Sequence, residues 1–192
     1  MGKVNMARKK EYIEEEVIEK AMNLFWKNGF ETTSMQMLEK EMGINKFSIY
    51  ASFGNKNGVF IESLKCYKQK LNQLIKKLST SSNGIMGIKD YFYDFIEFSK
   101  DTEIRKGCLI TNTANEIRED ADEKIKAVLS NFMNEVRQTF SNILKQDKIK
   151  DTAIIEQQAD FLMISMFGLS SATRIFNKSQ LDNYINNIFK NL

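Results

Sequence analysis

The 192-residue chain contains no proline and no histidine, only two cysteines, and carries a net charge of just +3. Without histidine there is no Ser-His or Cys-His nucleophile pair, no Glu-x-x-His ligand set for a di-metal bundle and too few donors for zinc, so the enzyme classes fall away and no cofactor or metal is expected. No apolar run reaches the ~20 residues of a membrane span, and MGKVNMARKKEYIEEE lacks the apolar segment of a signal peptide, so the expectation is a cytoplasmic chain with no membrane partner.

The absence of proline, with nine glycines placed at the tail, helix ends, loops and one late packing spot, predicts an all-α chain of about nine helices. The first is expected over Lys10 to Asn28, with Ile13, Val17, Ala21, Leu24 and Phe25 as its inward stripe and Gly29 as its stop. Next comes TTSMQMLEKEMGINKFSIYASF, residues 32–53, which reads as two short helices around a tight turn. Thr33 and Gln36 have the spacing of a capping box, Leu38 and Met42 share one face, and Gly43 takes the left-handed stop. Ile44 plugs the corner, Asn45 caps the second helix and Ile49 points back. That leaves Lys46, Phe47, Ser48 and Tyr50 for the outer surface, the layout of a helix-turn-helix pair.

A dense set of spacings extends the pattern through Val17, Ile18, Ala21, Leu24, Phe25, Gly29, Phe30, Thr33, Ser34, Gly43, Ile44, Ser48, Ile49, Tyr50, Phe53 and Lys56. Over residues 9 to 60 the chain resembles the DNA-binding domain of the tetracycline-repressor (TetR/AcrR) family of bacterial regulators. Phe47 departs from the usual small residue, which points either to a thymine-methyl contact or to packing on the domain itself, and Ala51 and Ser52 replace a pair often held by His or Tyr. Lys20 and Glu39 also replace usual alanines and read as tolerated surface positions.

The resemblance implies a three-helix DNA-binding domain over residues 1–57 and a larger helical-bundle domain for ligand binding and dimerisation over residues 58–192. It further implies a homodimer that binds double-stranded operator DNA and is released by a small effector. The DNA contacts would come from Thr33, Ser34, Lys46, Phe47, Ser48, Tyr50 and Lys56. Residues 1–57 hold nine Lys/Arg against eight Asp/Glu, so the bases must act locally: Arg8, Lys9 and Lys10 before the first helix, Lys46 on the second of the pair, Lys56 at the next. A helical interaction protein that has lost specific DNA binding is the competing class, and Ala51 with Ser52 is its one hint.

From Lys56 a long helix carries Val59, Phe60, Leu64, Tyr67, Leu71, Leu74 and Leu78, a candidate lever between the domains. STSSNGIMG, residues 79–87, reads as a loop. The aromatic helix after it sets Ile88, Phe92, Phe95 and Ser99 on one face and Tyr91, Phe95 and Phe98 on the next, bordering a cavity as well as the core. GCLITNTANEIRED resembles the family's sixth helix and places Cys108 in its first turn, where the helix dipole, Arg105 and Lys106 would favour thiolate. Candidate effector contacts are therefore Tyr91, Phe95, Phe98, Cys108, Thr111, Asn112 and Asn115, joined by Phe132 and Met163 from the following helices. Asp120 is the expected cap of the seventh helix, residues 152–176 form the eighth, and SQLDNYINNIFKNL forms the last. By the resemblance the last two helices build the dimer interface, with Phe167, Leu181, Tyr184 and Ile188 as its candidates.

Overall fold

A computed structural model of the protein describes residues 12–100, 107–146, 151–190 and 192, and the expected basic cluster Arg8, Lys9 and Lys10 lies outside them, as do Arg105 and Lys106. The described residues form nine α-helices in the order α1 (Glu14–Asn28), α2 (Met35–Met42), α3 (Lys46–Phe53), α4 (Lys56–Ser79), α5 (Ile85–Lys100), α6 (Leu109–Glu116), α7 (Glu123–Leu144), α8 (Thr152–Ala172) and α9 (Lys178–Lys190). The all-α expectation holds.

Helix ends are set by short polar side chains that satisfy the free N–H groups of the first turn. Ser34 accepts from the Met37 N–H, Asn45 from Ser48, Asn55 from Gly58, Asp122 from Lys124 and Asp151 from Ala153. Several boundaries differ from expectation. The α2 cap is Ser34 and not Thr33, whose buried hydroxyl instead donates to the Gly29 carbonyl at 2.6 Å. The α7 cap is Asp122 rather than Asp120. At α1, Ile13 stands exposed at the cap position, outside the inward stripe, and the helix begins only at Glu14. Ile85, Met86 and Gly87, expected in the loop, are already helical, whereas α8 ends at Ala172, four residues short of the expected stop.

α1 lies along α4, with the Phe25 ring edge-on to Phe60 at 4.7 Å and Phe30 against Phe60 at 4.6 Å. α2 and α3 close this small core from the side with Leu38, Met42 and Ile49, all buried. α4 then continues into a second body of α5 to α9, where Phe92, Phe140, Leu129, Leu162 and Ile185 form the interior. At the start of α4 a Cβ on Gly58 would fall 1.8 Å from the Phe53 carbonyl oxygen, so a bare Cα is what lets α4 meet the end of α3 so closely.

Candidate functional site

Three features of the fold bear on function: the α2–α3 pair, the contacts that tie it to α6, and a cavity behind α6. On α3 only Ile49 is fully buried, while Lys46 and Ala51 face solvent, Phe47 is 82% exposed, Tyr50 is 42% exposed and Ser48 is half-buried. Of the two alternatives for Phe47, packing on the domain is therefore excluded. Lys46 sits over the Tyr50 ring at 5.8 Å, and its backbone N–H donates to the Glu39 carboxylate at 2.9 Å. Glu39, read from sequence as a bland surface position, thus joins the two helices. Tyr12 braces the back of α3, its hydroxyl 2.7 Å from Ser52 Oγ.

Two of the expected DNA contacts look different in three dimensions. Thr33 is fully buried with its hydroxyl engaged, so its side chain is unavailable to a phosphate. Lys56 folds back over the Phe30 ring at 4.4 Å and donates to the Glu31 carbonyl at 3.3 Å. Burial lowers the Lys56 pKa, against the opposing pull of Glu31 and Glu116. Ser34 remains exposed at the head of α2.

The tie to α6 has two ends. At its head, Trp26 Nε1 of α1 donates to the Gly107 carbonyl at 3.0 Å. At its tail, the Glu116 carboxylate accepts the backbone N–H groups of Phe30 at 2.9 Å and Glu31 at 2.7 Å. Gly29, at φ 86°, shapes this backbone nest, and a Cβ there would lie 2.8 Å from Glu116 Oε1. A third tie links Asn57 Nδ2 to the Asp122 carboxylate at 2.9 Å. None of these partners was readable from sequence, because each pair is separated by 65 to 86 residues.

Behind α6 lies an apolar cavity of about 20 Å³, lined by Phe95, Cys108, Thr111, Phe132, Met163 and their neighbours. That volume holds roughly one water, against the ~300–1,000 Å³ of a small-molecule site. The other expected effector contacts do not reach it. Tyr91 packs edge-on to Phe140, Phe98 stacks beside Trp26 and Tyr67, Asn112 is half-buried beside Gly107, and Asn115 is exposed. Phe167, expected at the dimer interface, lines this cavity and is half-buried. Cys108 caps α6 rather than sitting inside its first turn; burial pushes its thiol up, only partly offset by neighbouring Tyr67 and Thr111, while Arg105 and Lys106 of the expected thiolate setting lie outside the described residues. A larger groove of about 610 Å³ between α1 and α4 is open and edged by Glu14, Glu15, Glu62 and Lys65, a solvated cleft with no convergent donor set.

The outer side of α8 and the segment after it expose Phe161, Ile164 (72%), Ile175 (78%) and Phe176. Beside them Tyr184 and Leu181 line a groove of about 350 Å³. Of the expected interface residues Tyr184 is exposed, whereas Leu181 and Ile188 are buried within their own subunit, where the inner face of α9 needs them.

A capped helix-turn-helix pair presenting an exposed second helix on an all-helical body is the layout that DNA-binding transcriptional regulators use. The sequence pattern of the bacterial regulatory proteins of the tetR family matches residues 17–62. Over these residues the chain carries that family's DNA-binding pattern. It is 31% identical over 112 residues to YezE, an uncharacterized HTH-type transcriptional regulator of Bacillus subtilis, a match spanning 58% of either chain. It is 23% identical over 145 residues to IcaR of Staphylococcus aureus, the negative transcriptional regulator of a biofilm operon, covering 69% of this chain and 78% of IcaR. Its fold matches that of a CifR cysteine variant solved with double-stranded operator DNA at a TM-score of 0.84, with 23% identity and 95% and 98% of the two chains covered. Reduced NemR of E. coli matches at a TM-score of 0.79, with 20% identity and coverage of 93% and 95%. Among the described residues no helix is long and apolar enough to cross a membrane.

Proposed function

We propose that the protein is a homodimeric, cytoplasmic repressor that a small effector releases from its operator. The observation that carries this reading is α6 itself: one short helix holds Cys108 and Thr111 against the cavity while its two ends are hydrogen-bonded to the reading domain. An effector must widen the cavity to enter, and α6 is the wall that separates it from α1. Displacing α6 moves Gly107 and Glu116, hence Trp26 and the Phe30–Glu31 turn that leads into α2. In a dimer this changes the spacing of two reading helices, and linkage makes the antagonism between effector and DNA mutual.

The division of labour follows from exposure. Phe47, Lys46 and Ser48 address base edges in the major groove; Ser34, Tyr50 and Lys56, once swung off Phe30, hold phosphates. The domain boundary of this reading lies near residue 57, in the first turn of α4. The exposed strip of Phe161, Ile164, Ile175 and Phe176 is the surface that a second copy covers. The role of IcaR as a negative regulator and the operator DNA bound to the CifR variant support the repressor reading.

The test is a gel shift of the full-length protein on DNA flanking its own gene, across a salt series. Specific, steeply salt-dependent binding lost in a Lys46→Ala, Tyr50→Ala variant is the expected result. A variant that retains wild-type affinity would move the DNA contacts elsewhere.

A further inference from the structure

The first turn of α3 contains no acidic residue of its own, yet a carboxylate stands at its head. Glu39 of α2 reaches across the turn and accepts the Lys46 N–H, the first of the helix, at 2.9 Å. Asn45 Oδ1 takes the Ser48 N–H at 2.9 Å, and the Asn45 carbonyl takes that of Ile49 at 3.1 Å. The free N–H groups at a helix start, with the positive end of the helix dipole, are a ready seat for a phosphate. At α3 the chain's own anion already sits there. Glu39 is only half-buried, Lys46 beside it is exposed, and no ion pair among the described residues neutralises the carboxylate.

In a helix-turn-helix pair the second helix enters the major groove by its N-terminal residues while the first crosses the sugar-phosphate backbone. Glu39 stands where the two helices meet. We propose, resting on the DNA-binding reading above, that Glu39 is a positioning residue for specificity: it holds the head of α3 in place for base edges and bars a phosphate from it, which weakens non-specific binding more than operator binding. Non-specific binding is almost wholly electrostatic, and a protein settles there on whatever phosphates its cations and helix ends can reach. A bare α3 head would be one more such end. On the operator the same head faces bases, so the charge of Glu39 opposes little there, while its bond to the Lys46 N–H keeps Lys46, Phe47 and Ser48 in their reading positions. Glu41, exposed and two residues further along α2, points to another side of the helix and has no such role.

The test compares the full-length wild type with Glu39→Gln, Glu39→Ala and Glu41→Gln on two duplexes of equal length, the DNA flanking its own gene and a scrambled sequence, across a salt series. Glutamine keeps an acceptor for the Lys46 N–H and loses the charge. Glu39→Gln is therefore expected to bind scrambled DNA about fivefold more tightly, the effect of one close charge pair in water, with a steeper salt slope. Its affinity for the flanking DNA should stay within about twofold of wild type. Glu39→Ala also frees the head of α3, so its operator affinity should fall about fivefold below that of Glu39→Gln, and exchange of the Lys46 amide should quicken. Glu41→Gln removes the same charge from the same helix and should leave the ratio of the two affinities as in the wild type. Unchanged affinity of Glu39→Gln for scrambled DNA, an equal gain on both duplexes, or the same shift in Glu41→Gln would overturn the proposal while a wild-type preference for the flanking DNA keeps the regulator reading. A wild type without that preference removes both.

Discussion

The Glu116 carboxylate accepts the backbone N–H of Phe30 at 2.9 Å, joining the end of α6 to the turn before α2 across 86 residues of sequence. Its other oxygen takes the Glu31 N–H. Hydrogen bonds to a charged acceptor are worth about 1.5–3 kcal/mol each when shielded and less in the open, as at Glu31. Glu116→Ala should therefore lower stability by about 1–2 kcal/mol in urea unfolding and speed amide exchange at residues 30 and 31. Unchanged exchange at both amides would show that the tie is not held in solution. If α6 transmits the effector signal, the same variant should still bind operator yet respond less to effector.

Phe47 is the chain's own signature on the reading helix. Phe47→Ala should leave the melting temperature unchanged, since the ring is 82% exposed, while costing about 1–3 kcal/mol of discrimination at one A·T pair of the operator. Lys56→Ala, at a phosphate-holding position, should weaken all DNA about equally and reduce the salt slope by about one. Competition gel shifts with single base-pair changes would read both effects. A Phe47→Ala variant that loses affinity without losing discrimination would reassign the ring to general contact.

How legible was this in the sequence? The α2–α3 pair was, because its signals are local: Gly43, Asn45 and the spacing of Leu38, Met42 and Ile49 act within a few residues. The cap of α2 was missed by one position, since Thr33 and Ser34 can both cap and the choice was made by the Gly29 carbonyl pulling Thr33 inward. The ties through Glu116, Trp26 and Asn57 were invisible because nothing near them in the chain marks their partners. On α8 the apolar residues run almost all round the helix, so periodicity could not separate the inner face of Leu162 and Leu169 from the outer one of Phe161 and Ile164.

The two cysteines should react in a definite order. Burial raises both thiols, but Cys66 on α4 is only half-buried whereas Cys108 is enclosed. N-ethylmaleimide at neutral pH should therefore label Cys66 first, with Cys108 following only as the body opens. Peptide mapping by mass spectrometry gives the order. Faster labelling at Cys108 would restore it as a reactive thiol.

Acid should loosen α8 from α7. The Glu156 carboxyl is held down to about 2 by hydrogen bonds from Ser141, then Arg137 and Lys145. Its folded pKa lies below its unfolded value, so the stability it contributes is complete above roughly pH 4.5 and is lost as pH falls towards 2. Glu156→Gln should show a shallower fall in melting temperature across that window and converge with the wild type at its acid end. Parallel curves for the two proteins would remove Glu156 from the acid response.

If a second copy covers the outward strip of Ile164 and Ile175, gene dosage becomes part of the regulatory logic. If only paired copies present two reading helices at the right spacing, operator occupancy rises with the square of subunit concentration below the dimer's Kd and linearly above it. A cell holding few copies would then sit on the steep limb, where halving synthesis cuts repression fourfold, and a change at Ile164 that weakens pairing would act on promoter output without touching DNA or effector.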